Sequence, residues 1–248
     1  MTRIRVATFN IRNGLGLDGW HAWPFRRATT WRTIAALDAD LVALQEVHGF
    51  QQTYLERRLS GYAFVAAGRD EGDRGERCPV LVDPEVAEVV DVQHRWFGAT
   101  PNRPGSRLTG AKFPRLATTT TVAVGPERRR VDVTSTHLDE ASGERRLASA
   151  QQLAGWLDPD TPQIVMGDLN ADPGSKVLAA LEGAGLTLAV PAGTTGTEHG
   201  FTGRTRGRRI DHILVSPHFE VVDCRVFTAR LGRVLPSDHF PVLASVDL

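Results

Sequence analysis

Six apolar stretches in this chain run directly into, or out of, a carboxylate, an amide or an imidazole, and this repeated arrangement narrows its possible folds more than any other feature. Four of them end on the polar group: Arg5-Val6-Ala7-Thr8-Phe9-Asn10, Leu41-Val42-Ala43-Leu44-Gln45-Glu46, Val131-Asp132-Val133-Thr134-Ser135-Thr136-His137 and Ile164-Val165-Met166-Gly167-Asp168-Leu169-Asn170. Two begin on it: Arg209-Ile210-Asp211-His212-Ile213-Leu214-Val215 and Ser237-Asp238-His239-Phe240-Pro241-Val242. Runs rich in Val, Ile and Thr and bounded by Gly, Pro, Asn or Asp read as strands. In a sandwich whose strands alternate in direction, strand ends and strand starts meet on one rim. Such a rim gathers Glu46, Asp168, Asp211 and Asp238 with Asn10, Asn170, His137 and His239.

Eleven strands are expected, at residues 4–10, 41–45, 62–67, 79–83, 86–92, 117–124, 130–137, 163–167, 209–216, 220–228 and 241–247. Helical periodicity marks 25–37, 51–59 and 142–157, and a shorter helix follows the Asp172-Pro173-Gly174-Ser175 turn at 176–183. Ser142 supplies an N-cap, but Arg145 stands where a capping box needs Glu or Gln. Strands and helices in this order predict a layered α/β architecture, with sheets packed face to face and helices outside. No repeat, low-complexity tract or interdomain linker interrupts the chain. Residues 97–114 form the longest irregular stretch, either a substrate loop or a plain surface excursion.

Four carboxylates at one rim cannot all stay ionised unless a cation offsets their repulsion. Oxygen ligands joined by amides and at most one or two imidazoles suit Mg²⁺ or Mn²⁺ better than Zn²⁺. Magnesium commonly uses only one or two protein carboxylates and keeps waters for an incoming phosphate. The remaining acids are then free to activate water.

Charge and composition bear on the partner. Lys+Arg and Asp+Glu each number 29 in 248 residues, and 41% of residues are hydrophobic, which excludes a disordered, collagen-like or supercharged chain. A nonspecific nuclease normally carries a basic footprint over its whole domain. Neutrality therefore favours a compact phosphate substrate over long duplexes, although Arg204, Arg206, Arg208 and Arg209 lie just upstream of Asp211 and can meet a phosphate. Cys78 and Cys224 match no metal spacing and build no disulfide framework. The first residues show no charged region followed by an apolar core, and no stretch approaches the ~18 apolar residues that span a bilayer. A soluble, cytoplasmic, monomeric protein without stable membrane insertion is expected.

The segments Thr8-Phe9-Asn10-Ile11-Arg12, Leu44-Gln45-Glu46-Val47, Ser135-Thr136-His137-Leu138-Asp139, Gly167-Asp168-Leu169-Asn170, Arg209-Ile210-Asp211-His212-Ile213 and Ser237-Asp238-His239-Phe240-Pro241-Val242 together resemble the endonuclease/exonuclease/phosphatase family, in that family's order. A bacterial subgroup is further resembled by Gly75-Glu76-Arg77-Cys78-Pro79-Val80, by Trp96 with Thr100-Pro101, and by Pro114-Arg115. The resemblance implies a four-layer α/β/β/α sandwich of two mixed, mainly antiparallel sheets flanked by helices, built as a single domain over residues 1–248. It implies Glu46 as principal metal ligand, completed by Asn10 and Asp238. Asp168 would orient or deprotonate the attacking water, and Asn170 would hold that water or a phosphate oxygen. His239, hydrogen-bonded to Asp211, would sit against the scissile phosphate. His137 would donate to the nonbridging oxygens or act as an acid near the leaving group. Glu76 and Arg115 would line the pocket; Arg208, chosen from the arginines just upstream of Asp211 and not by the resemblance, is the further candidate for meeting the phosphate. Some relatives carry an acid two residues after the first Asn, where this chain has Arg12, so either the metal holds more water or Arg12 contacts phosphate.

The expected activity is therefore a divalent-metal-dependent phosphoesterase that hydrolyses a phosphodiester or phosphomonoester by in-line attack of an Asp-activated water. The substrate classes are a phosphorylated small molecule, a lipid head group or nucleic acid, the last making it a nuclease on DNA or RNA. A non-catalytic binding module on the same fold would lack Glu46, Asp168 or His239, and all three are present. Trp31 is expected in the core and Trp20 and Trp23 on a rim loop, with stacking of a base by these three as the alternative.

Overall fold

The computed structural model describes residues 1–191 and 193–248. One sheet orders its six strands as Glu220–Val226, Val242–Asp247, Arg3–Asn10, Leu41–Gln45, Val80–Val82 and Ala63–Val65. The other orders six as Thr187–Leu188, Asp211–Val215, Gln163–Asp168, Arg129–His137, Leu116–Val124 and Ala87–Trp96. In each sheet the central pair is parallel: Arg3–Asn10 with Leu41–Gln45, and Arg129–His137 with Gln163–Asp168. Their remaining pairings are antiparallel.

Period-two alternation divides each central strand between two layers. Ile4, Val6, Leu41, Ala43, Val131, Val133, Ile164, Met166, Ile213 and Val215 pack together between the sheets. The intervening Ala7, Phe9, Val42 and Leu44 face outward, against Trp23, Ile34 and Leu37 of the helix Trp23–Leu37 and Leu55 of the helix Gly49–Glu56. On the other side, Val165 and Leu214 meet Ala150 and Leu153 of Gly143–Ala154 and Val177, Leu178 and Leu181 of Lys176–Glu182. Strands buried on both faces read as continuous apolar runs, which is why they stood out in the sequence. Each fully buried Leu, Ile or Phe side chain contributes roughly 1.5–3 kcal/mol relative to exposure. The result is the four-layer α/β/β/α sandwich.

The same alternation builds the rim. Following Ile4 and Val6 by twos leads to Thr8 and Asn10; following Ile164 and Met166 leads to Asp168; following Val131 and Val133 leads to Ser135 and His137. The space between the sheets thus turns polar at one end, where Thr8, Gln45 and Ser135 are fully buried and Gln45 Nε2 donates to Ser135 Oγ across the sheets at 3.4 Å. Strict alternation of direction is not what gathers these residues. The parallel central pairs bring the ends Asn10 and Gln45, and His137 and Asp168, side by side, while the antiparallel neighbour brings Asp211, a strand start, opposite Asp168.

A third, three-stranded sheet of Val47–His48, Gly68–Asp70 and Arg74–Arg77 was not expected. Its strands read Val-His, Gly-Arg-Asp and Arg-Gly-Glu-Arg, too short and too polar for an apolar period, so periodicity gives no strand signal. Gly49–Glu56 begins two residues earlier than expected because Gln51 Oε1 accepts the His48 backbone N–H at 3.1 Å, one half of a capping box. The Ser142 hydroxyl caps Gly143–Ala154 by accepting from the Arg145 amide at 3.2 Å. Trp23 is core and not on a rim loop, because it opens the buried face of the helix Trp23–Leu37; Trp31 packs half-buried against the same cluster, and Trp20 is 80% exposed in the short 3-10 turn Gly19–His21. Among the described residues, no helix is long and apolar enough to cross a membrane.

Candidate functional site

Asn10 connects the two sheets at the rim. Its Nδ2 donates to Glu46 Oε1 at 2.9 Å and to Asp168 Oδ2 at 3.0 Å. Glu46 Oε2 accepts the Asn13 backbone N–H at 2.7 Å, and Asn10 Oδ1 accepts that of Arg12 at 2.9 Å. Arg12, Glu46 and Asn170 all adopt left-handed backbone conformations, with φ of 60°, 61° and 51°. Non-glycine residues held there cost roughly 1–3 kcal/mol each and concentrate at functional sites.

Asp168 Oδ1 accepts the Asn170 amide N–H at 2.9 Å. Burial, followed by the proximity of Asp211, pushes the Asp168 carboxyl up to about 7. His239 Nδ1 bonds Asp211 Oδ2 at 2.9 Å and lies 4.0 Å from Asp168 Oδ2. Burial alone would discharge this imidazole, but Asp211, by charge and hydrogen bond, with Asp168 and Asp238 raises it well above the ordinary histidine value. That direction favours the imidazolium form of His239. The second imidazole is opposite in character: burial, then Arg115, lowers His137 well below its ordinary value. Asn170 Nδ2 lies 3.1 Å from His137 Nε2 and donates to the Leu138 carbonyl at 3.2 Å, which orients the amide so that His137 accepts. His137 Nε2, accepting there, steadies the Asn170 amide.

Asp238 accepts from Ser237 Oγ at 3.1 Å and sits 3.6 Å from Arg12 Nη1. Arg12 is held by Asp18 through two bonds, at 2.9 and 3.2 Å. Arg12, Glu46, Glu76, Arg115, His137, Asp168, Asn170, Asp238 and His239 line one cavity of about 370 Å³. Arg208 does not reach it. Half-exposed and paired with Asp172 at 3.1 Å, it lines an adjoining cavity of about 480 Å³ that shares Asn170. Arg208 Nη2 donates to the Asn170 carbonyl at 3.4 Å, so Asn170 stands between it and the central cavity.

The donors suit a hard cation. Carboxylates of Glu46, Asp168 and Asp238 line one cavity, with the Asn10 amide between Glu46 and Asp168, while the nearby Cys78 thiol is buried and pushed up to about 12, so no thiolate competes. Asp211 Oδ1 is buried without a hydrogen-bond partner, a sign of negative charge in excess of the donors present. Oxygens of Asp168 and Asp211 and a ring nitrogen of His239 also lie within 4.8 Å of one another. An ion there would compete with the His239–Asp211 bond, whereas Glu46, Asn10 and Asp238 leave that bond intact.

Arg26 was missed. Fully buried, it donates to the backbone carbonyls of His21 (2.8 Å), Ile11, Arg12 (2.7 Å), Asn13 (3.3 Å) and Pro236 (3.1 Å), tying the loop after Asn10 to the segment before Asp238. Burial draws its guanidinium down to about 10, still charged at neutral pH. Its signal was an arginine on the buried face of a helix, in step with Trp23, Thr30, Ile34 and Leu37. Arg26→Met leaves these acceptors unsatisfied and lowers stability by at least ~3 kcal/mol; urea denaturation checks this, and a loss under 1 kcal/mol contradicts it.

The model of the endonuclease/exonuclease/phosphatase family matches residues 7–239. No curated protein matches the chain closely enough to count as a relative. Among solved structures, an endonuclease/exonuclease/phosphatase family protein from Bacteroides thetaiotaomicron is 28% identical with a TM-score of 0.91, covering 100% of this chain and 99% of that one. A mannosyl-6-phosphatase from Bacteroides thetaiotaomicron is 27% identical with a TM-score of 0.88, covering 99% and 100%. The catalytic domain of human Nocturnin, bearing a sulfate anion, shares the fold at 22% identity and a TM-score of 0.75, covering 99% and 94%.

Proposed function

The chain belongs to the endonuclease/exonuclease/phosphatase family and is a hydrolase of phosphate esters, and on that premise we propose that it cleaves a compact phosphate ester by in-line attack of water, assisted by Mg²⁺ or Mn²⁺. One observation carries this reading: the Asn10 amide holds Glu46 and Asp168 together from opposite sheets, beside the His239–Asp211 pair. The whole chain acts as one catalytic domain, because cutting it near the middle separates Glu46 from Asp168.

Glu46, with Asn10 and Asp238, would hold the cation, whose charge neutralises phosphoryl oxygens and favours attack. Asp168 orients the water and accepts its proton, a general base whose carboxylate is anchored by the Asn10 and Asn170 N–H groups. Asn170, steadied by His137 and Leu138, positions the water or a phosphate oxygen. The His239 imidazolium faces the growing negative charge at phosphorus, and Asp211 fixes its orientation. Arg12 lines the same cavity within reach of Asp238, which favours its phosphate-contact role.

Three features support a compact substrate: zero net charge, a central cavity of about 370 Å³, and likeness to a structure that is itself a sugar phosphatase. A nuclease reading draws on one observation, the adjoining cavity with Arg146, Lys176 and Arg208, which could track a longer backbone. Hydrolysis of bis-p-nitrophenyl phosphate is expected to require Mg²⁺ or Mn²⁺, to stop in EDTA, and to return when metal is restored. Glu46→Gln lowers the rate at least ~100-fold and raises the metal concentration needed for half-activity. Full activity in EDTA overturns the metal assignment.

A further inference from the structure

Arg69, Glu76 and Phe113 line the central cavity, yet the mechanism leaves them without a task. Building on the phosphoesterase reading, we propose that Arg69 and Glu76, beside Phe113, form a subsite that reads hydroxyl groups on the alcohol side of the substrate, so that a sugar or polyol phosphate is preferred over an alkyl phosphate.

The chemistry of the wall selects this ligand. Arg69 Nη1 donates to Glu76 Oε2 at 2.5 Å, and both side chains are close to nine-tenths buried. Arg115 Nη1 stands 3.9 Å from the same oxygen, and Arg115 also pairs with Glu140. The cluster therefore presents donors and acceptors while its charges cancel. A second phosphate would face the Glu76 and Glu140 carboxylates, and an ammonium group the two guanidinium groups. A hydroxyl meets neither objection, because it donates to a carboxylate and accepts from a guanidinium at once. Capacity remains for it. Glu76 Oε1 takes one bond, from Asn13 Nδ2 at 2.7 Å, where each carboxylate oxygen can accept two.

The wall is also rigid. Trp96 Nε1 holds the Arg69 carbonyl at 2.7 Å, and the Arg69 guanidinium lies 4.4 Å from the Phe113 ring centroid. Fixed polar groups in a buried wall penalise a ligand that cannot pair with them, which is the basis of strong discrimination for a hydroxyl. Phe113 lies at the end of the 97–114 segment, so that loop reaches the substrate cavity through this residue.

The test compares glucose 6-phosphate with n-hexyl phosphate on the Mn²⁺-loaded full chain, as kcat/KM, or as inhibition of bis-p-nitrophenyl phosphate hydrolysis where an ester is not turned over. The wild type is expected to favour glucose 6-phosphate at least about tenfold, and Arg69→Met and Glu76→Gln each to bring the ratio close to one. Damage passed through Asn13 to the metal loop would lower both esters alike and leave the ratio unmoved. A wild-type ratio near one, or a ratio unchanged in both variants, overturns the subsite. Failure to hydrolyse any of the three esters with metal present overturns the phosphoesterase reading instead.

Discussion

Replacing Asp168 by Asn lowers kcat for metal-dependent ester hydrolysis about ten-thousand-fold, the upper range for loss of a positioned base, while the circular dichroism spectrum stays that of the wild type. The fold tolerates the change because Asn keeps an oxygen for the Asn170 amide, which now bonds Asp168 Oδ1 at 2.9 Å. It loses the acceptor for Asn10 Nδ2, but that group retains Glu46 Oε1 at 2.9 Å. What disappears is what a neutral amide cannot supply: taking a proton from water, and the negative charge that helps hold the proton on His239. Steady-state kinetics with bis-p-nitrophenyl phosphate at saturating Mn²⁺ measures it. A loss smaller than tenfold would move the base elsewhere, and Asp211 would be next to examine.

Gly167→Ala is expected to be the most damaging small substitution in the chain. A Cβ at this position would lie 1.9 Å from the Thr136 carbonyl oxygen and 2.9 Å from its carbon. Those atoms belong to the paired strand, in the register that sets Thr136 opposite Gly167 and His137 opposite Asp168. Backbone cannot step aside as a flexible side chain can, so the central parallel pair must separate. The cost is at least ~3 kcal/mol, or about 10 °C in melting temperature for a chain of this size. Gly185→Ala is the control. Its φ is 92° and nothing lies within 4 Å of the added Cβ, so only the backbone penalty of about 1–2 kcal/mol applies. Thermal unfolding of both variants decides the matter, and equal losses would remove the argument from close approach. The glycine of Gly167-Asp168-Leu169-Asn170 is thus required by packing, while Asp168 and Asn170 are required by chemistry.

How far the site was legible follows from where its signals lie. Asn10, Asp168 and His137 end runs whose alternate residues are buried between the sheets, so their position in the strand places them at the mouth of that space. Arg208 lies in a glycine-rich stretch outside any strand, where no parity constrains its direction, and it faces the adjoining cavity. Arg69 and Glu76 sit in a small sheet of charged and glycine residues that carries no apolar period. Arg26 was visible only as an arginine out of keeping with its helix face.

The strands of the two large sheets, apart from the two-residue Thr187–Leu188, and the residue types at their ends follow from the sequence by itself, because period-two alternation and turn chemistry are local properties of a chain. The tertiary structure decided the charge each end group bears. His137 and His239 are the same residue type and almost equally buried, at 5% and 6% exposure. One is neutral beside Arg115 and the other is charged beside Asp211. Coulomb energy depends on distance through space, and those partners are set in place by strand pairing and sheet packing, not by position along the chain.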